Sequence, residues 1–140
     1  MKKKDNLPHV IISTDIGGSD PDDYQSLIHL LVYADRFHIQ GLISSPPGQG
    51  RKEHIEEVVY AYAQDYENLK RKSGGFPEPA DLLKVTKQGA EDPQEAPIPH
   101  ALSEGAEWMI KKAQETDGPL YILVWGSMTD VAQAVHKEPG

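Results

Sequence analysis

The chain has 140 residues, 38% hydrophobic and 26% charged, with 14 Lys and Arg against 22 Asp and Glu. A domain of that length buries roughly 70% of the surface its unfolded chain exposes, so it needs no staples, and the lack of cysteine excludes a disulfide scaffold, a thiolate metal site and a cysteine nucleophile. A net charge of −8 argues against nucleic acid and anionic lipid as partners, and no apolar run nears the ~20 residues of a membrane span.

Residues 1–7 read as a flexible tail, because Lys2, Lys3 and Lys4 are followed by Asp5 and Asn6 rather than by the apolar run of a signal peptide. A cytoplasmic location is therefore expected. Val10-Ile11-Ile12 predicts a short buried strand running into Ser13-Thr14-Asp15. Tyr24, Leu27, Ile28, Leu31 and Val32 recur at helical spacing, with Asp22 and Asp23 at the amino end, where carboxylates complement the helix dipole. Phe37 to Ile43 predicts a second strand, closed by Ser44-Ser45-Pro46-Pro47-Gly48. Strand, helix and strand in succession predict a right-handed parallel βαβ unit.

Ile55, Val58, Val59, Tyr62, Tyr66 and Leu69 mark a second helix, ended by Gly74-Gly75 and Pro77, with Lys70-Arg71-Lys72 as a favourable charge cluster at its carboxyl end. A short helix is expected over Asp81 to Lys87 and a proline-rich surface loop over Gly89 to Pro99. Leu102, Ala106, Met109, Ile110 and Ala113 predict another amphipathic helix, stopped by Gly118-Pro119. Tyr121 to Trp125 reads as the third strand, and Gly126-Ser127-Met128-Thr129 turns into a last helix carrying Val131, Ala132 and Val135. The pattern predicts one α/β domain over 1–140: a parallel sheet with helices on both faces in three layers, and ligands at the carboxyl ends of its strands.

Asp15, Asp20, Asp22 and Asp23 fall within nine residues free of Lys, Arg and His. Carboxylates crowded on one loop repel, so either some are protonated or a cation compensates. Hard oxygen donors without Cys or His favour Ca²⁺ or Mg²⁺ over zinc, and Gly17 and Gly18 allow the tight turn that brings Asp15 back toward Asp22 and Asp23. A solvated acidic loop with an Asp helix cap is the bland alternative. An EF-hand lacks its Gly and Glu in every window, and a phosphate-cradling loop lacks its Gly-Lys-Ser/Thr ending. An aspartyl-phosphate phosphatase would need a second Asp where Gly17 stands.

Elsewhere, His29 reads as a packed helix residue and His9 as solvated, while His38, His54, His100 and His136 lack a triad partner at a telling spacing. Tyr60, Tyr62 and Tyr66 read as core and boundary packing, and Trp108 as partly exposed. Ser44 and Ser45 fall at the site edge.

Ile11-Ile12-Ser13-Thr14-Asp15-Ile16-Gly17 with Asp22-Asp23 opening a helix resembles the amino-terminal signature of the nucleoside hydrolases. The fuller wording, Thr14 to Gly18 with Asp20-Pro21-Asp22-Asp23, is similar to a nucleoside-hydrolase-like branch that includes cellulose-binding proteins. Pro119 to Gly126, followed by Asp130-Val131-Ala132-Gln133-Ala134, resembles the same branch. The likeness spans the chain but only the amino-terminal half or so of a complete family domain.

That resemblance implies a pocket binding Ca²⁺, with Mg²⁺ as the alternative, and hydrolysis of an N-glycosidic or related glycosyl bond. Asp15 would be a metal ligand and the general base, Asp23 the second carboxylate ligand, Asp22 the holder of the sugar hydroxyls, and Trp125 the donor of a backbone carbonyl to the metal. The alternative is a non-catalytic metal- or carbohydrate-binding module on the same fold. The ligand would be a small nucleoside or sugar, with no nucleic acid and no membrane involved. Ser13 stands where the family has its first motif Asp, and the segment from Asp15 to Asp22 is longer than the family's, which lets Asp20 stand in for Asp22 or Asp23. The family's later Asp ligand and its neighbouring His would come from beyond Gly140, so a partial site is expected. Three strands with two open edges predict homo-oligomerisation.

Overall fold

The computed structural model describes residues 7–46, 50–92 and 101–140. The predicted tail up to residue 6, the turn at Pro47–Gln49, most of the proline-rich loop and His100 lie outside the described residues. In chain order the elements are β1 (His9–Thr14), α1 (Asp22–Val32), a 3-10 turn (Ala34–Arg36), β2 (His38–Ser44), α2 (Lys52–Lys72), α3 (Pro79–Lys84), β3 (Thr86–Gln88), α4 (Glu104–Glu115), β4 (Leu120–Val124) and α5 (Thr129–Lys137). Each predicted element forms within a few residues of its expected bounds. One strand exceeds the expectation: β3 follows directly on α3, where only the end of a short helix and a loop were predicted.

The sheet is four-stranded and parallel in the order β3-β2-β1-β4. β1 lies inside it and is apolar on both faces, as a doubly covered parallel strand must be. Ile12, Leu27, Leu31, Ile55, Val59 and Leu82 join on the face covered by α1, α2 and α3. Ile11, Ile43, Ala106, Met109 and Ala134 join on the face covered by α4 and α5. The adjacent Ile11 and Ile12 thus serve opposite layers through the two-residue strand repeat. Each fully buried side chain of this kind contributes about 1.5–3 kcal/mol.

The β1–β2 register slips between Val10 and Ile11, placing Gln40 in a bulge. Its carbonyl accepts the Trp108 indole N–H at 2.8 Å. The neighbouring Gly41 lies so close to Ile11 and Trp108 that a Cβ there would come within 3.2 Å of both. His9, expected to be solvated, is the first residue of β1: its ring stacks on His38 at 4.9 Å and its Nδ1 lies 2.9 Å from Gln40 Nε2. Pairing to β2 carries it into the sheet's amino edge. Among the described residues, no helix is long and apolar enough to cross a membrane.

Strand order reverses beside β1. The chain builds outward through β2 and β3, then crosses to the other side to lay down β4. In such sheets the crevice at the carboxyl ends of the two strands flanking the reversal is where ligands bind. Here those strands are β1, ending before Asp15, and β4, ending before Trp125.

Candidate functional site

The chain leaves β1 through a tight turn in which the Gly18 N–H donates to the Asp15 carbonyl at 3.1 Å. Gly17 holds the third position with φ of 85°, the left-handed value that a type II turn needs there. A side chain at that point would also run into the His54 ring. Pro21 then precedes α1, whose first turn carries Asp22 and Asp23. The turn and the proline together return the chain to the sheet edge within a few residues.

The result is a cavity of about 270 Å³ lined by Asp15, Gly18, Ser19, Asp20, Asp22, Asp23 and Trp125. All four candidate site residues are therefore brought together, and Asp20 with them. Their settings differ. Asp23 is buried, 8% exposed, and its Oδ2 accepts a 2.5 Å hydrogen bond from the Thr14 hydroxyl. Asp22 is exposed, its Oδ1 accepting the Asp23 N–H at 3.1 Å. Asp15 is half-buried. Its carboxyl is pushed up to about 6, first by desolvation, then by its hydrogen bond with Asp23 and the charge of Asp23, with a smaller push from Asp22.

The opposite wall comes from β4. The Trp125 N–H donates to the Ser13 carbonyl at 2.8 Å, fixing the strand end against β1. Gly126 passes so near Asp15 that a Cβ on it would lie 2.8 Å from the Asp15 side chain. Sequence reasoning placed Gly126 in the turn but not against Asp15; only the strand crossing brings the two together. Trp125 also walls an adjoining groove, with Asp23, Ser26, Leu30 and Tyr33, so the acidic cavity opens along the flank of α1.

Among the described residues, no lysine, arginine or histidine lines the acidic cavity. The carboxylates lining it, Asp15, Asp20, Asp22 and Asp23, are hard oxygen donors of the kind that suits Ca²⁺ or Mg²⁺. Among the described residues, no three His, Asp or Glu side chains converge as a ready-made metal cluster. Ser44 and Ser45 are buried at the end of β2 and do not line the cavity. His54 takes a structural part, accepting the Arg51 N–H at the start of α2, whereas His29, expected to be packed, is exposed beside Tyr33 and lines the adjoining groove, because its position on α1 faces away from the core.

A residue the sequence did not single out for a role is Asp130. It is fully buried at the start of α5. Its Oδ1 accepts the Ala90 N–H at 2.7 Å and the Ser103 hydroxyl at 2.6 Å, while Gln133 Oε1 accepts the Ser103 N–H at 2.9 Å. One turn of α5 thus ties the segment after β3 to the start of α4. An acidic residue in the first turn of an apolar helix is the only sign of this in the sequence.

A family model described as "Cellulose-binding Sde182, nucleoside hydrolase-like domain" matches residues 9–139. The chain is also similar to a solved structure from Saccharophagus degradans, described as a nucleoside hydrolase-related hypothetical protein associated with carbohydrate metabolism. Identity is 31% and the TM-score 0.83, over 94% of this chain and 33% of that one. The chain therefore spans about a third of the length of that relative. No curated protein matches.

Proposed function

Because the chain belongs to the cellulose-binding Sde182, nucleoside hydrolase-like domain family, we propose that the β1–β4 crevice binds a sugar ring with a hard dication and serves metal-dependent hydrolysis of an N-glycosidic, ribonucleoside-type or related glycosyl bond. The observation that carries this reading is the gathering of Asp15, Asp22, Asp23 and Trp125 around one cavity at the point where strand order reverses. Asp15 and Asp23 would hold Ca²⁺ or Mg²⁺, with the Trp125 carbonyl as a third donor. When bound, such an ion lowers the pKa of water and offsets the carboxylate charge.

The residues divide the remaining work. Asp23 is held by Thr14 and keeps its orientation without help from the ligand. Asp22, at the exposed start of α1, accepts the sugar hydroxyls. Trp125 offers an aromatic face to the ring or to the base. Asp15 takes the proton of the attacking water, and the ionised carboxylates stabilise the positive charge that develops on the sugar as its bond to the leaving group lengthens.

The test is calorimetric titration with CaCl₂ alongside release of the aglycone from p-nitrophenyl riboside or inosine. Binding is expected for the wild type and Asp20→Ala and is lost in Asp23→Ala. Turnover is expected to fall by ~10²–10⁴ in Asp15→Ala. Calcium binding indifferent to Asp23→Ala overturns the site assignment.

A second reading, a binding module without catalysis, is favoured by the description of the family as cellulose-binding. Calcium binding and co-sedimentation with cellulose, without turnover, would select it.

A further inference from the structure

We propose that the cavity at the amino edge of the sheet, between the start of β2 and the segment linking α2 to α3, is a second ligand site that takes a neutral saccharide. It measures about 500 Å³, within the roughly 300–1,000 Å³ of small-molecule sites. β3 pairs with β2 only from Leu42 to Ser44. Among the described residues, the first half of β2 therefore has no strand beside it on that side, and His38, Ile39 and Gln40 line the cavity instead. The loop opposite is fastened by its own bonds: the Tyr62 hydroxyl donates to the Pro77 carbonyl at 2.7 Å and the Gly75 N–H to Ser73 Oγ at 3.3 Å. The cavity is preformed.

Its walls are of two kinds. Phe37, Ile39 and Phe76 belong to the core cluster under α2 and its margin, and give an apolar side. Gln40, Glu78 and Asp81 bring an amide and two carboxylates. The His38 N–H donates to the Pro8 carbonyl, on the β1 side, so strand alternation turns the Ile39 N–H and C=O toward the cavity. A sugar ring has the same division, with C–H faces that pack on apolar side chains and hydroxyls that both donate and accept.

The charges favour a neutral ligand. Lys70 pairs with Glu67 at 3.0 Å and lies over the Tyr66 ring at 4.9 Å. Asp81 pairs with Lys84 at 2.8 Å, and Glu78 hydrogen-bonds the Tyr66 hydroxyl. An ionic ligand would have to displace one of these partners, whereas a hydroxyl can use the lone pairs that a carboxylate keeps beyond its first bond. A peptide strand is not accommodated either. Along β2 only Ile39 turns its backbone to the cavity before β3 takes up the edge at Leu42, and strand addition needs a run of main-chain bonds. β2 has seven residues, so about 20 Å separates this cavity from the crevice at the carboxyl edge. A ring held here is not the one that meets Asp15, and its binding depends on no metal or reaction in the crevice.

The test is an NMR titration of the isotope-labelled chain with neutral disaccharides: cellobiose, xylobiose, mannobiose and maltose. At least one is expected to give saturable shifts, at millimolar concentration, in the amides of Ile39, Gly74 and Gly75 and in the Gln40 side chain. The charged dimers of glucosamine and galacturonate should bind at least tenfold more weakly. Glu78→Ala and Asp81→Ala, both at exposed positions, are each expected to weaken binding at least tenfold, with the rest of the spectrum unchanged. Asp22→Ala, in the crevice, should leave the shifts at Gly74 and Gly75 as they are. No shift at these amides with any of the neutral sugars, shifts confined to the crevice, tighter binding of a charged dimer, or indifference to both Glu78→Ala and Asp81→Ala would overturn the proposal.

Discussion

Burial and Asp23 both resist the ionisation of Asp15, so its carboxyl is raised from an ordinary 3.8 to about 6. The folded chain then binds a proton more tightly than the unfolded chain between those values. Its contribution to stability is fully present below pH 4 and is lost as pH rises through 6. In metal-free buffer, urea midpoints are expected to fall more steeply between pH 4 and 7 for the wild type than for Asp15→Asn, which carries no titrating group there. Parallel slopes would remove the basis for this assignment. Asp15, Asp22 and Asp23 were legible as a group because their spacing and lack of basic neighbours are sequence properties. The unequal settings of the three were not. They depend on Thr14 reaching Asp23 and on Gly126 crossing beside Asp15.

At the scale of elements, α4 begins at Ser103, whose hydroxyl accepts the Ala106 N–H at 2.9 Å while donating to Asp130. Ser103→Ala removes both bonds, and the loss of an N-cap alone costs about 1 kcal/mol. Chemical denaturation is expected to show a loss of about 1–2 kcal/mol; an unchanged midpoint would mean that the start of α4 is held by other groups. The long helices were legible from their apolar repeat. β3 was not, since Thr86-Lys87-Gln88 has neither length nor apolar alternation. It exists because the edge of β2 offers it backbone partners, beginning with the Leu42 N–H donated to the Val85 carbonyl at 3.0 Å. His9 was misread for the same reason, as pairing rather than composition sets its surroundings.

Across the whole molecule, the sheet is the common wall of both cores. Trp125 packs against the cluster under α1 and α2, and Trp108 against the one under α4 and α5. Neither helical layer can be stripped off without exposing β1, so one cooperative unfolding transition is expected. Far-ultraviolet circular dichroism and tryptophan fluorescence should melt together, including in single variants Trp108→Phe and Trp125→Phe; separated midpoints would show that the layers unfold independently. The sequence by itself determined the layered α/β class, the order of the long elements and the acidic turn after β1, because these follow from periodicity and local turn chemistry. Only the tertiary structure decided that β4 returns beside β1, that Gly126 closes on Asp15, and that Asp130 ties α5 to α4. Those are meetings of residues far apart in the chain, and no local pattern encodes which strand edges will pair.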